Sequence, residues 1–150
     1  MTSEAHYRRP GWFTVNVFNR IVAALTRIGV SVAGSRVLEV PGRSSGLSRR
    51  TPVNLLTLDG RRYLVAPRGH TQWVRNLRAA GSGRLLLGRT GEGFTATELS
   101  GDEKIPVLRA YLARWKWEVG AFFDGVGPDS PDEAFRRIAP DHPVFLIASA

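Results

Sequence analysis

Short β-type segments separated by tight turns dominate this chain from residue 36 to residue 99 and constrain its fold more than any other feature. The clearest turn is Asp59-Gly60, a dipeptide that favours a two-residue hairpin. Hairpins pair consecutive strands antiparallel, and closure into a barrel removes exposed sheet edges. We therefore predict an α+β fold built on a largely antiparallel, closed or half-closed barrel of about six strands. The predicted strands are Arg36–Val40, Thr51–Leu58, Arg61–Ala66, Arg84–Arg89, Gly93–Leu99 and Pro143–Ala148, with a second hairpin turn at 90–92.

Four helices are predicted around this barrel from the spacing of apolar residues. They are Trp12–Ile28, Thr71–Ala80, a helix from Ser100 or Asp102 to about Trp117, and Ser130–Ile138. Thr71 can cap its helix, and Ser130 with Glu133 resembles a capping box. We expect a single domain overall, with residues 1–35 as an N-terminal amphipathic helix region and residues 36–150 as the barrel.

The N-terminal amphipathic helix has two interpretations. It packs on the protein's own core, or it lies on a membrane surface with Trp12 and Phe13 as interfacial anchors. Arg20 and Arg27 argue against a spanning helix, because a charge inside a bilayer costs roughly 2.5–3.5 kcal/mol on insertion scales. No signal peptide is visible, so we expect a cytoplasmic location, with peripheral membrane contact through residues 12–28 left open.

The composition restricts the chemistry that is available to the chain. The 150 residues carry a net charge of +8, which favours an anionic partner. The chain has no cysteine, which excludes disulfides and thiolate catalysis. Its three histidines, His6, His70 and His142, are too far apart in sequence to form a paired metal-ligand motif, so we predict no metal site.

The segment 42–53, which joins two predicted strands, has the composition of an anion-binding loop. Its sequence is Gly-Arg-Ser-Ser-Gly-Leu-Ser-Arg-Arg-Thr-Pro-Val. Glycine lets backbone N–H groups approach an anion, serine adds short donors, and arginine adds a planar fork that matches phosphate or carboxylate. The alternative is a solvated hairpin loop, in which glycine and serine are also common.

A second basic cluster follows in segment 66–78. Arg68 precedes the N-terminus of a predicted helix, where free N–H groups favour an anion. Arg75 and Arg78 are three residues apart and share a helix face. Asn76 either satisfies buried backbone groups or binds a ligand. Nucleic-acid binding would need aromatic side chains interleaved with the arginines, and only Trp73 lies in a basic cluster, so no nucleic acid is expected.

At these two clusters the sequence resembles the deazaflavin-dependent nitroreductase family, actinobacterial oxidoreductases that use coenzyme F-420. The resemblance covers roughly residues 36–148, and the order and spacing of its motifs both match. It implies a split β-barrel related to FMN-binding barrels. The matching elements are Gly42-Arg43-Ser44-Ser45-Gly46, Arg49, Thr51-Pro52-Val53, Val65-Ala66-Pro67-Arg68-Gly69, Trp73 and Asn76-Leu77-Arg78.

The resemblance also implies a cofactor, a reaction and a set of binding residues. Coenzyme F-420 is an anion with a phosphodiester and an oligoglutamate tail. Its reduced form would give a hydride to an electron-poor small molecule such as a quinone, an enone or a nitro compound. The phosphate and tail would contact Arg43, Ser44, Ser45 and Arg49, and the ring and its surroundings would contact Thr51, Pro52, Val53, Ala66, Pro67, Arg68, Gly69, Trp73 and Asn76.

The sequence also departs from the family pattern and leaves alternatives open. Pro67-Arg68 stands where members have a small hydroxylic residue and a lysine, and phenylalanines replace the tyrosines before the last strand. Only Tyr111 and His70 are candidates for a proton donor, and solvent is a third source. The alternatives are a non-catalytic protein that binds F-420 or a lipid, and a relative that binds FMN or haem. Related barrels often form homodimers.

Overall fold

The structure is a computed structural model that describes residues 34–150. The predicted helix Trp12–Ile28, its membrane contact and the residues of the N-terminal region before 34 lie outside the described residues. Six strands are present in the described part of the chain. They are β1 (Ser35–Pro41), β2 (Ser48–Leu58), β3 (Arg61–Val65), β4 (Ser82–Leu87), β5 (Thr90–Glu98) and β6 (Val144–Ser149).

The six strands close into a barrel in the order β1-β2-β3-β6-β5-β4, and every neighbouring pair is antiparallel. This topology confirms the predicted α+β fold with an antiparallel six-stranded barrel. The hairpin between β2 and β3 turns at Asp59 and Gly60, which have φ values of 52° and 78°. Two left-handed residues in succession match the right-handed twist of the flanking strands, which explains why this dipeptide predicted the turn.

Three α-helices surround the barrel in the described chain: α1 (Gln72–Ala80), α2 (Lys104–Val119) and α3 (Asp132–Ile138). Short 3₁₀ turns precede or follow them at Gly101–Glu103, Gly120–Phe122 and Ala139–Asp141. One hydrophobic cluster fills the barrel and includes Leu38, Leu64, Phe94 and the α1 residues Val74 and Leu77. A second lies between the outer sheet face and the other helices and includes Leu108, Leu112, Trp115, Phe123 and Phe135.

Several boundaries differ from the sequence-based predictions. Strand β2 begins three residues earlier than predicted, at Ser48, because Arg50 pairs across the sheet with Glu39 at 2.9 Å. The hairpin after β4 turns at Gly88 and Arg89, not at 90–92, and Gly88 supplies the positive φ of 62° that this turn needs. The predicted cap by Ser130 is wrong, because its hydroxyl accepts a hydrogen bond from the Gly127 N–H instead.

The strands β2 and β3 separate at one end of the barrel. Their pairing ends at Leu55 opposite Leu64, and β2 continues back to Ser48 without β3 beside it. On the other side the chain leaves β3 and follows β6, since the Ala66 N–H donates to the Pro143 carbonyl at 2.9 Å. The two basic clusters of the sequence therefore flank one split in the barrel wall.

Candidate functional site

The loop from Gly42 to Leu47 is a compact turn that its own backbone holds together. The Gly42 N–H donates to the Leu47 carbonyl at 2.7 Å, and the Gly46 N–H donates to the Gly42 carbonyl at 2.8 Å. Gly46 has a φ of 75°, which favours glycine, and the Ser45 hydroxyl accepts from the Leu47 N–H at 3.1 Å. The turn leaves Arg43 and Ser44 exposed to solvent.

Asn76 of helix α1 attaches this loop to the second basic cluster. Its side chain is only 4% exposed, and its Oδ1 atom accepts from the Arg43 backbone N–H at 3.1 Å and from Arg43 Nη1 at 2.9 Å. Gln72 on the same helix accepts from Arg43 Nη1 at 2.8 Å. The Oδ1 atom of Asn76 therefore accepts from protein groups, and it brings together clusters that are 33 residues apart in sequence.

The guanidinium of Arg43 has only neutral amide acceptors for partners among residues 34–150. Both of its hydrogen bonds use Nη1, so the fork formed by Nε and Nη2 donates to no described residue. Arg49 and Arg68 likewise make no ion pair with a described carboxylate. A guanidinium that is fixed in place but not neutralised is suited to bind an anion in bidentate fashion.

Other arginines near the site are neutralised by acidic side chains. Arg78 forms two hydrogen bonds of 2.7 Å with Glu98 of β5, and Arg50 pairs with Glu39 of β1. Arg75 and Arg78, which the sequence places on one helix face, therefore differ in their partners. Arg78 fastens α1 to the barrel, whereas Arg75 remains exposed.

The edges of the split carry the remaining residues of the predicted site. Thr51, Pro52 and Val53 lie on β2, where it pairs with β1 but not with β3. Pro52 is tolerated because this edge of β2 has no ladder partner that needs its missing N–H. Ala66 and Pro67 lie at the opposite edge of the split. If the β2–β3 register continued by two residues, Ala66 would lie across from Val53.

The turn that follows Ala66 holds Arg68 over an aromatic ring. Gly69 has a φ of 88°, and its N–H donates to the Ala66 carbonyl at 3.2 Å. The Arg68 guanidinium carbon lies 5.3 Å from the centre of the Phe122 ring, within the range of a cation–π interaction. The next residues lead into α1, where Thr71 holds the N-cap position but its hydroxyl makes no capping hydrogen bond.

Trp73 lies on the side of α1 that faces the barrel. Its ring is half-buried, and its centre is 6.1 Å from the centre of the Phe145 ring. This position leaves part of the indole accessible beside the turn at 66–69.

The two candidate proton donors occupy different environments. Tyr111 is 2% exposed in the core under α2, and burial raises the pKa of its phenol well above its ordinary value. Its hydroxyl contacts the side chain of Asn54, which also donates to Glu118 Oε2 at 3.2 Å. His70 is half-exposed, with Nε2 3.0 Å from the Pro140 carbonyl oxygen. The described residues contain no group of three side chains that could hold a metal ion.

Sequence reasoning missed one residue beside the site. His142 is 0% exposed and stacks on Phe123, with ring centres 4.2 Å apart and an angle of 11° between the planes. Burial lowers the pKa of its imidazole to about 4, so the ring is neutral at pH 7. A lone histidine before a terminal strand carries no sequence signal that would distinguish it from a solvated one.

The fold defines a split-barrel protein, with a loop rich in glycine, serine and arginine at the opening of the barrel. A family described as "F420H(2)-dependent quinone reductase" matches residues 14–117. The chain therefore belongs to this family and is an oxidoreductase that uses coenzyme F-420 with a small-molecule substrate. The match confirms the expected deazaflavin-dependent family and cofactor. No curated protein matches the chain.

Solved structures support the fold. A "domain-swapped dimer" has a TM-score of 0.58 at 19% identity and covers 91% of this chain and 97% of its own. An "F420-H2 Dependent Reductase" has a TM-score of 0.55 at 19% identity, covering 77% and 94%. A protein of unknown function from Agrobacterium tumefaciens has a TM-score of 0.52 at 16% identity, covering 95% and 57%. Within residues 34–150 no helix is long and apolar enough to cross a membrane.

Proposed function

We propose that this protein reduces a quinone or a similarly electron-poor molecule, with coenzyme F-420 held in the split between β2 and β3. The observation that carries the proposal is the position of Arg43. Two amide side chains of α1 fix its Nη1 edge, while its Nε–Nη2 fork has no described partner. The neutral amide acceptors hold the guanidinium in place without neutralising its charge, so this arrangement favours a bound anion.

The donors around the split fit the chemistry of the cofactor. The phosphodiester and the oligoglutamate tail of F-420 are anionic, and Arg43, Ser44, Ser45 and Arg49 offer two guanidinium groups and two hydroxyls on one exposed loop and strand start. Arg68 adds a third cation on the other side of the split. The apolar edges at Pro52, Val53, Ala66 and Pro67 are suited to a flat heteroaromatic ring.

The bound coenzyme in its reduced form supplies the hydride, and the protein supplies binding, orientation and exclusion of water. The loop at 42–47 and Arg68 would hold the anionic end. Thr51, Trp73 and Gly69 would lie beside the ring, and the half-buried indole of Trp73 offers a flat apolar surface for an acceptor. Since the Tyr111 phenol is buried with a raised pKa, we assign the accompanying proton to solvent.

The proposed binding of the anionic cofactor by Arg43 and Arg49 is tested by the affinity of three arginine variants for oxidised F-420, followed by ligand fluorescence. Arg43→Ala and Arg49→Ala should each weaken binding by about 1.5–3 kcal/mol, the usual contribution of a hydrogen bond to a charged group. The loss should shrink as salt rises. Arg61→Ala is the matched control, because Arg61 is an exposed arginine in the hairpin at the other end of β2. Equal affinity in the wild-type protein and all three variants would refute the assignment of Arg43 and Arg49 to the anionic cofactor.

The reaction is tested by mixing reduced F-420 and protein with an acceptor in a stopped-flow instrument. A quinone, a nitroaromatic and an enone are compared at equal concentration, and reoxidation of the coenzyme is followed by its absorbance. We expect the quinone to react fastest. Binding without reoxidation by any acceptor would favour the non-catalytic alternative. A relative with a similar fold is described as a "domain-swapped dimer", so the oligomeric state should be measured in parallel by light scattering, with a homodimer expected.

A further inference from the structure

His142 is a buried polar ring whose position the proposed function does not yet explain. It lies between the 3₁₀ turn Ala139–Asp141 and strand β6, and its backbone N–H donates to the Ala139 carbonyl at 3.1 Å. Neither ring nitrogen has a well-aligned hydrogen-bond partner among residues 34–150. Leaving a buried polar atom without a partner costs about 1–3 kcal/mol, so its retention needs a reason.

The polar groups that face the His142 ring belong to the backbone of Ala66 and Pro67. The same stretch is tied to the residue after His142, because the Ala66 N–H donates to the Pro143 carbonyl at 2.9 Å. The charged side chains that act on the ring are Asp141 and Lys104. The imidazole therefore lies against the backbone at the start of the turn Ala66–Gly69.

Two consecutive aromatic residues connect His142 with Arg68. Phe123 stacks face to face on the imidazole at 4.2 Å, and Phe122 lies under the Arg68 guanidinium at 5.3 Å. The His142–Phe123 pair therefore lies at the beginning of the turn, and Phe122 contacts Arg68 near its end. Phe122, Phe123 and His142 all lie beyond residue 117, where the family match ends.

We propose that His142 is a positioning residue, which holds the Ala66–Gly69 turn in the position from which Arg68 contacts the anionic cofactor. The expected effect of His142 on cofactor affinity rests on the proposed function, whereas its expected effect on the turn Ala66–Gly69 does not. An uncharged imidazole suits this place, since it stacks like a phenyl ring and turns a polar edge toward the backbone of Ala66 and Pro67. An apolar ring would keep the stacking and lose that polar edge.

The mechanical part is tested without cofactor, by amide hydrogen exchange on the whole chain. The Gly69 and Thr71 amides donate within the turn, to the carbonyls of Ala66 and Gly69. In His142→Phe their exchange should accelerate about tenfold or more relative to the Gly81 amide, which caps the far end of α1, because local opening becomes easier. His142→Gln, which keeps an N–H donor, should restore most of the protection.

The control for general destabilisation is Phe135→Leu. Phe135 is 0% exposed in the same core cluster, but it lies under Arg109, which pairs with Asp132 away from the split. This variant should not change exchange at Gly69 relative to Gly81. Unaltered exchange at Gly69 in His142→Phe, or in His142→Leu should the phenylalanine variant not fold, would overturn the positioning role.

The functional consequence is tested by a double-mutant cycle on F-420 affinity with His142→Phe and Arg68→Ala. Residues that act through one another are non-additive. We expect about a tenfold loss of affinity in each single variant and little further loss in the double variant. Full additivity, or wild-type affinity in His142→Phe when Arg68→Ala is weakened, would refute the inference and leave the proposed function intact. Failure of the wild-type protein to bind F-420 would refute the proposed function, while the exchange experiment would still decide the mechanical role.

Discussion

Replacement of Asn76 by aspartate separates two roles of Arg43, which are to attach the loop at 42–47 to α1 and to bind the anionic cofactor. Asn76→Asp keeps the shape of the side chain and the oxygen that accepts from the Arg43 N–H at 3.1 Å and from Nη1 at 2.9 Å. The loop at 42–47 should therefore stay attached to α1. The new carboxylate, however, neutralises the guanidinium that we assign to the anionic cofactor. We expect stability to remain and affinity to fall.

The magnitudes follow from the two hydrogen bonds. Asn76→Leu removes both acceptor contacts, one worth about 1 kcal/mol and one to a charged group worth about 1.5–3 kcal/mol. Water compensates part of this loss because Arg43 is exposed, so we expect about 2 kcal/mol in the free energy of unfolding. That loss corresponds to a fall of about 4–8 °C in the melting temperature of a chain this size.

Asn76→Asp should change the free energy of unfolding by less than about 1 kcal/mol, since a charge-assisted pair offsets the burial of the carboxylate. Its affinity for F-420 should nevertheless fall about ten- to hundredfold, with a weaker dependence on salt than the wild-type protein shows. Thermal unfolding and fluorescence titration measure the two quantities on the same samples. An Asn76→Asp protein that binds F-420 as tightly as the wild type would refute the assignment of Arg43 to the anion.

Three further outcomes are expected. Since the folded-state pKa of His142 is lowered to about 4, the unfolded chain takes up a proton first as pH falls. Stability should therefore decrease by about 3 kcal/mol between pH 6.5 and pH 4, and calorimetry of His142→Phe should show a smaller decrease. Arg62→Ala breaks a pair with Glu92 at 2.7 and 2.9 Å and should cost about 1 kcal/mol of stability in denaturant titration, without any change in F-420 affinity. Tyr111→Phe should lose about 1 kcal/mol of stability with its contact to Asn54 and should leave the pH profile of coenzyme oxidation unchanged, whereas a shifted profile would make Tyr111 the proton donor.

Local patterns in the sequence predicted most of the barrel because its turns are chemically specific. Asp59-Gly60 adopts the two left-handed conformations that a tight hairpin requires, and Gly81 ends α1 with a φ of 72°. The start of β2 was less predictable, since Ser48 and Arg50 have no strong preference for strands. Pairing with Pro41, Val40 and Glu39 of β1 extends the strand to include them, and Arg50 also pairs with the Glu39 side chain, 11 residues away.

Long-range contacts explain what the sequence could not predict about the site. The composition of the two basic clusters indicated an anion, but nothing local showed that Asn76 would accept from Arg43 across 33 residues. In the same way, Arg78 resembled its neighbour Arg75 until the barrel placed Glu98 beside it. The topology of the barrel decides which arginines lie beside a carboxylate. The candidate site depends on the arginines that do not, such as Arg43.

The most direct measurement of the central claim is the titration of the purified protein with oxidised F-420 and, in parallel, with FMN, at low and high salt. Ligand fluorescence reports binding in both cases. We predict tight binding of F-420 that weakens as salt rises, with FMN bound much more weakly. A preference for FMN, or F-420 binding that salt does not affect, would contradict the claim that the arginine-rich edges of the split recognise the anionic deazaflavin coenzyme.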